Sequence, residues 1–263
     1  MSSFNTLQFS NENGLARIAL NRPDAANSLD MDMAQELLQV SIRCRADATV
    51  RAVLLTGNGK IFCAGGDLNG FVTHRRTLRA NVKELTTYLH AAVANFARMR
   101  APLVIAVNGA AAGAGFSLAL CGDVVLAGKS AKFTMAYTAA GLVPDGSSSY
   151  MLPRVVGLRR AQELMLTNRR LSADEACAWG IVTRLVEDAQ LQAEAEAMAL
   201  KLASGPTHAF GLVKRLLLAS FDNSLETQME EESAAIADAA SRPDGIEGVD
   251  AFFEKRPPRF NGE

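Results

Sequence analysis

Cysteine is sparse, with four in 263 residues, at positions 44, 63, 121 and 177. No two stand at C-x-x-C spacing, which removes the common zinc-site pattern. They read as free thiols, mostly small buried apolar groups in a reducing compartment. Histidine is scarcer still: His74, His90 and His208 are scattered without ligand spacing. Surface or helix-packing roles are expected for them, and no metal. Charge of one sign is not in excess either. The formal net charge is −1, so nothing draws the chain to nucleic acid. Long hydrophobic runs are also missing. The most apolar stretch, Gly109 to Cys121, is interrupted by Ser117 and too short to span a bilayer. The opening residues Met1-Ser2-Ser3-Phe4-Asn5 lack the basic-then-apolar order of a secretory leader. A cytoplasmic location is expected, with no membrane partner.

What is present is enough apolar residue, 49%, to bury a large core. There is no exact repeat, low-complexity segment or clear linker. Residues 15–20 alternate like a strand until Asn21-Arg22-Pro23-Asp24 breaks it. Asp30 suits the cap of a helix running to about Asp47. Val50 to Thr56 is a buried-strand candidate, and residues 76–100 look helical up to Pro102. Leu103–Val107 and Asp123–Ala127 are further short strands, and 182–186 another. Strands alternating with helices predict an α/β core with largely parallel strands. Helices are expected at 189–204, 207–220, 224–241 and 244–255. The division expected is a core at 1–200 and a helical region at 201–263.

Two glycine-rich turns follow two of these strands. The first is Ile61-Phe62-Cys63-Ala64-Gly65-Gly66-Asp67-Leu68. The second is Asn108-Gly109-Ala110-Ala111-Ala112-Gly113-Ala114-Gly115-Phe116-Ser117, leading into a helical 116–121. Small residues let a ligand touch backbone, and a helix start leaves N–H groups unpaired and partly positive. Two such groups converging on one thioester oxygen would stabilise an enolate. Tight strand-to-helix packing explains either turn alone equally well. Known nucleotide loops do not fit. Gly113-Ala-Gly115-Phe-Ser-Leu118 lacks the last glycine of a dinucleotide fingerprint, and Gly128-Lys129-Ser130 lacks the first glycine of a P-loop, because position 123 is Asp.

Taken together, several segments resemble the crotonase (enoyl-CoA hydratase/isomerase) superfamily. They are Asn21-Arg22-Pro23, Phe62 to Leu68, Ala106-Val107-Asn108-Gly109, Gly113-Ala114-Gly115, Gly141 to Gly146, Leu152-Pro153-Arg154, Leu171 to Ala176 and Phe252 to Pro257. They cover nearly the whole chain in the family's order. The resemblance implies a crotonase-like α/β spiral of ββα units. It also implies a C-terminal helical trimerisation region, often with two trimers forming a hexamer. It implies oxyanion-hole donors at Gly66 and Ala114, and CoA adenine near the backbone of Ala64. Arg22 to Ala26 would line the CoA channel, and Asp67 would cap or orient the first turn. No separate cofactor is implied, since CoA is part of the substrate.

The hydratase branch needs two glutamates, and their positions here hold Ser117 and Tyr137. Water addition needs groups to activate water and to manage the proton on carbon, so this departure disfavours hydration. Tyr137 is expected as an aromatic pocket wall that touches substrate at most. A carboxylate does stand at Asp145, in a segment that most resembles phenylacetate-pathway-type enoyl-CoA isomerases. There one base suffices, because the same group takes the proton and returns it. Outside that family setting, Pro144-Asp145-Gly146 reads simply as a turn. Ser147, Ser148 and Ser149 lack G-x-S-x-G and read as turn or cap residues. Lys255 and Arg256 would reach CoA phosphates of a neighbouring subunit, or serve as ordinary helix-end charges. The leading expectation is an enoyl-CoA isomerase. An enoyl-CoA hydratase and a catalytically silent CoA-binding paralogue are the alternatives.

Overall fold

The computed structural model describes residues 4–73 and 75–263; the expectation for His74 lies outside them. The chain opens with a hairpin of β1 (Leu7–Glu12) and β2 (Leu15–Leu20). Asn13 and Gly14 turn it, both at positive φ, the pair of conformations that matches strand twist. The sequence pattern does not single out β1. It is an edge strand paired only with β2, and most of its residues stay partly exposed, so it carries no apolar period.

Helix α1 (Met31–Ala46) starts as expected: the Asp30 carboxylate accepts the Met33 N–H at 2.9 Å. There follow β3 (Ala52–Gly57), α2 (Leu68–Thr73), α3 (Leu78–Arg98) and β4 (Leu103–Val107). Next come β5 (Ala110–Ala112), α4 (Ala114–Ala119), β6 (Val124–Gly128) and β7 (Lys132–Thr134). After the 137–147 loop the chain forms α5 (Ser148–Val156), α6 (Leu158–Thr167), β8 (Leu171–Ser172), α7 (Ala173–Ala178) and β9 (Arg184–Val186). It ends in α8 (Leu191–Ala203), α9 (Thr207–Ala219), α10 (Leu225–Ser241) and α11 (Pro243–Phe253).

The main sheet has the order β1-β2-β3-β4-β6-β9 and is parallel from β2 onward. Strand period two sorts its side chains into two buried layers. Val53, Leu55, Leu103, Ile105 and Val107 join α1 and α3 in the larger core. Ala52, Leu54, Val104, Ala106 and Leu126 face the other way, onto Leu191, Ala195, Ala199 and Ala203 of α8. The four-residue spacing of those α8 residues puts them on one stripe, and three alanines let the helix sit close. A second, three-stranded sheet, β5-β7-β8, packs short segments together. Helix α9 is tied to the core by Lys214, whose ammonium meets Asp123 at 2.7 Å and the carbonyls of Phe96 and Ala101. The architecture is mixed α/β, with strands and helices alternating through the core. Among the described residues no helix is long and apolar enough to cross a membrane.

Candidate active site

The two glycine-rich turns lie against each other. Cys63 pairs with Ala111 in a parallel bridge: the Cys63 N–H donates to Ala110 O at 3.1 Å, and the Ala112 N–H to Cys63 O at 2.9 Å. The contact is close because the residues are small. A Cβ on Gly115 would sit 2.2 Å from Cys63 O, and one on Gly65 would sit 2.9 Å from Ala112 O. Gly65 also holds φ +98°, a region that other residues rarely enter. Gly66 differs: a Cβ there would meet nothing within 4 Å. Its carbonyl-side neighbour is anchored, since the Asp67 N–H donates to Leu29 O at 2.9 Å and Leu29 N–H to Gly65 O at 2.7 Å. Among the described residues the chain supplies no acceptor to the N–H of Gly66 or of Ala114, the first residue of α4. A Cβ on Gly65 would approach Ala114 N at 3.3 Å, so both donors border one small space.

This arrangement sets a stability expectation. Gly115→Ala forces a methyl into backbone and should cost about 1–3 kcal/mol or more by overpacking. Gly66→Ala should melt with wild-type midpoint, because its side chain enters open space. Thermal unfolding of the two variants checks the contrast, and equal midpoints would contradict it.

Around the first turn, Arg22 is a clasp. Its guanidinium reaches Asp67 Oδ2 and Asp30 Oδ2, each at 3.1 Å, and the Ser28 carbonyl at 2.6 Å. Asp67 also accepts the Asn69 N–H at 3.1 Å. Ala26 and Ala64 meet directly, with the Ala64 N–H donating to Ala26 O at 3.0 Å. Ala26 and buried Asn27 both hold positive φ, near 53° and 52°. The Asn27 side chain fastens this bend by donating to the carbonyls of Asn58 and Ile61.

One turn along α4 from Ala114, the buried Ser117 hydroxyl lies 2.9 Å from the Tyr137 hydroxyl. The Tyr137 hydroxyl donates to Asp145 Oδ1 at 2.6 Å. Burial, with the Asp145 charge and hydrogen bond behind it, pushes the Tyr137 phenol far above its usual range, so it stays a neutral donor. Gly146, at φ +60°, packs over Ser117: a Cβ there would lie 3.0 Å from the serine Cβ. Ser148 braces the loop by donating from N and Oγ to the Asp145 carbonyl. On its other side, Asp145 Oδ2 lies 3.3 Å from His90 Nε2 of α3. Two cavities flank α3. One of about 380 Å³ is lined by Asp67, Phe71, Val82 and Leu85. The other, about 940 Å³, is bordered by His90, Ser147, Met151 and Leu212.

A profile of the Enoyl-CoA hydratase/isomerase family matches residues 10–263. The chain belongs to that family. It is 39% identical over 253 residues to the 1,2-epoxyphenylacetyl-CoA isomerase of Escherichia coli K12, covering 96% of this chain and 97% of the relative. It is also 39% identical over 260 residues to a probable enoyl-CoA hydratase of Rhodobacter capsulatus, covering 99% of each. A crystal structure of an enoyl-CoA hydratase/isomerase from Mycobacterium abscessus superposes with a TM-score of 0.93 at 36% identity, over 98% of this chain and 100% of that one. The fold expected from the resemblance is therefore the fold of this enoyl-CoA hydratase/isomerase family member.

Hydrogen bonds join Ser117, Tyr137 and Asp145 one turn along α4 from Ala114, whose N–H lies close to Gly65, and Arg22, Ala26, Ala64 and Asp67 contact one another around the first turn. Lys255 stands apart from these residues in the sequence, exposed at the end of α11, and Arg256 is engaged by Glu247 and Glu254 of its own chain. Two contacts add to the expectations. Tyr137 is a hydrogen-bond donor to Asp145 as well as a wall residue; a phenol 8 residues upstream in a loop gives no periodic sign of that contact. His90 is exposed on its helix, as expected, and is also a neighbour of Asp145 across 55 positions, a separation no local pattern reports.

The Tyr137 contact has a kinetic consequence if Asp145 reacts. Removing a donor to a charged group costs about 1.5–3 kcal/mol. Tyr137→Phe should therefore lower kcat by roughly 10- to 100-fold while KM for a thioester stays near wild type. A fall in affinity with kcat unchanged would mean that the phenol is a binding wall after all.

Proposed function

We propose that this family member is an enoyl-CoA isomerase that moves a double bond in an acyl-CoA thioester, with Asp145 as its single base. The observation that carries the reading is the Ser117–Tyr137–Asp145 cluster. The two positions where hydratases of the family need glutamates hold hydroxyls, and both hydroxyls serve the one carboxylate. In this reading the thioester oxygen accepts from the N–H groups of Gly66 and Ala114. Asp145 removes a proton from carbon 2 of a 3-enoyl thioester, and the electron pair moves into a dienolate held by those donors. The same carboxyl returns the proton at carbon 4, leaving the double bond between carbons 2 and 3. Tyr137 occupies Oδ1, so Oδ2 is the oxygen that handles the proton.

The likeness to the E. coli epoxyphenylacetyl-CoA isomerase extends the reading to ring-epoxide CoA esters. Those would also develop charge at the thioester oxygen. The likeness to a probable hydratase favours hydration as the second reading. We further propose CoA contacts at Arg22, Ala26 and Ala64, with Asp67 holding Arg22 in place and Lys255 acting on a neighbouring subunit. Residues 201–263 would form the assembly region of a cytoplasmic trimer or hexamer, attached to a core of residues 1–200. Exposed Phe252, Phe253, Ile236 and Val249 support that assembly.

The test is a panel of 3-enoyl-, 2-enoyl- and ring-epoxide CoA esters with purified protein. Isomerisation of the first or third supports the reading. Hydration of 2-enoyl-CoA as the dominant reaction overturns it, and inertness toward every ester despite binding favours the silent paralogue.

A further inference from the structure

One nitrogen of His90 faces two neighbours that ask opposite things of it. The Gly146 N–H donates to Nε2 at 3.1 Å, which requires a lone pair there. Asp145 Oδ2 lies 3.3 Å from the same atom, and an ionised carboxylate there requires a hydrogen on the nitrogen. A ring nitrogen has one in-plane position and holds one or the other. With the ring neutral and protonated at Nδ1, Gly146 is satisfied, and Oδ2 faces a lone pair without a donor. With Nε2 protonated, the ring donates to Oδ2 and Gly146 loses its acceptor. The other carboxylate oxygen has no such ambiguity, since Tyr137 holds Oδ1.

We propose that His90 is the positioning residue that sets the basicity of Asp145. The neutral ring leaves Oδ2 without a donor and ready to take a proton; the protonated ring clamps Oδ2 and switches the base off. The proposal rests on the isomerase reading for its kinetics. When the substrate C–H bond breaks and an O–H bond forms at Oδ2, the neutral ring keeps its Nε2 lone pair on the Gly146 N–H, so Oδ2 takes the proton with no competing donor and holds it until the proton returns to carbon. No proton is gained or lost overall.

Other groups act on the ring. The cavity that His90 borders also presents Arg45 from α1, Arg98 and Arg100 at the end of α3, Tyr150 of α5, His208 and Arg215 of α9, and Asp222 beyond it. The sign follows from the clamp: activity is present while the ring is neutral and is lost when it is charged.

His90→Gln tests this, because its amide oxygen still accepts from Gly146 while nothing titrates. Wild-type kcat/KM should show an acid limb in its pH profile. His90→Gln should lose that limb and keep kcat near the wild-type alkaline value with KM unchanged. Superimposable pH profiles with equal kcat would overturn the proposal. A second arm does not depend on turnover. The contact at Nε2 is mutual, so Asp145→Asn should move the ring ¹⁵N shifts of His90 in spectra of histidine-labelled protein. A sequence with three histidines keeps that assignment simple. His90 ring ¹⁵N shifts that ignore Asp145→Asn would also overturn the proposal. Failure of wild type to isomerise any ester would remove the isomerase reading instead, and the spectra would still decide the coupling.

Discussion

Asp145→Asn should lower isomerase turnover by about 10²–10⁴, the usual worth of a positioned acid–base group. The change keeps the size of the side chain and lets the amide oxygen accept from Tyr137, now 2.6 Å from Oδ1. It removes only the capacity to take a proton. Thioester affinity should hardly move, because the proposed donors at Gly66 and Ala114 belong to other segments, braced by the Cys63–Ala111 bridge. The measurement is single-turnover isomerisation of a 3-enoyl-CoA beside a direct binding titration. If Asp145→Asn isomerises like wild type, the proposed base is wrong. If wild type hydrates 2-enoyl-CoA strongly and Asp145→Asn does so equally, the hydratase reading takes its place.

Ala114→Pro should lower turnover by about 10²–10³, as expected for loss of one oxyanion donor. The choice of residue follows from position. Ala114 is the first residue of α4, where a proline is compatible with the helix and removes an N–H that has no helical partner. The fold should therefore survive: the bonds that hold the turn come from Ala112, Gly113 and Ser117. Circular dichroism and the melting midpoint establish folding, and kcat on the preferred ester establishes the effect. Unchanged turnover in folded Ala114→Pro would refute the donor assignment, whatever the reaction proves to be.

The two losses differ in kind. Asp145→Asn removes a proton carrier and should abolish solvent-hydrogen exchange into the thioester along with isomerisation. Ala114→Pro weakens the dienolate itself, so exchange and isomerisation should decline together but remain measurable. Gly115→Ala is expected to act on the same hole from behind, by displacing the backbone that carries the Ala114 N–H.

The two glycine-rich turns were legible because they are built from local motifs. Gly65, Gly66, Gly113 and Gly115 stand in short runs after apolar strands, and their small size is what allows the two turns to touch. Asp30 announced its helix, because a cap is a contact over three residues. Asp145 was legible only through the family resemblance of its segment, since Pro-Asp-Gly alone describes any turn. Strand β1 and the small β5-β7-β8 sheet were not legible. Their strands are an exposed edge or no more than three residues long, and period-two patterning needs length and a buried face to show.

From its sequence alone, this protein is determined to be an α/β chain with two glycine-rich strand-to-helix turns and a capped α1. Those features are local: each depends on propensity, spacing or size within a few residues. The tertiary structure alone decided that Tyr137 donates to the Asp145 carboxylate, that Ser117 stands behind the phenol, and that His90 shares one nitrogen between Asp145 and Gly146. Contacts across 20 and 55 positions depend on how α3, α4 and the 137–147 loop pack against one another, and packing is a property of surfaces that no single segment carries.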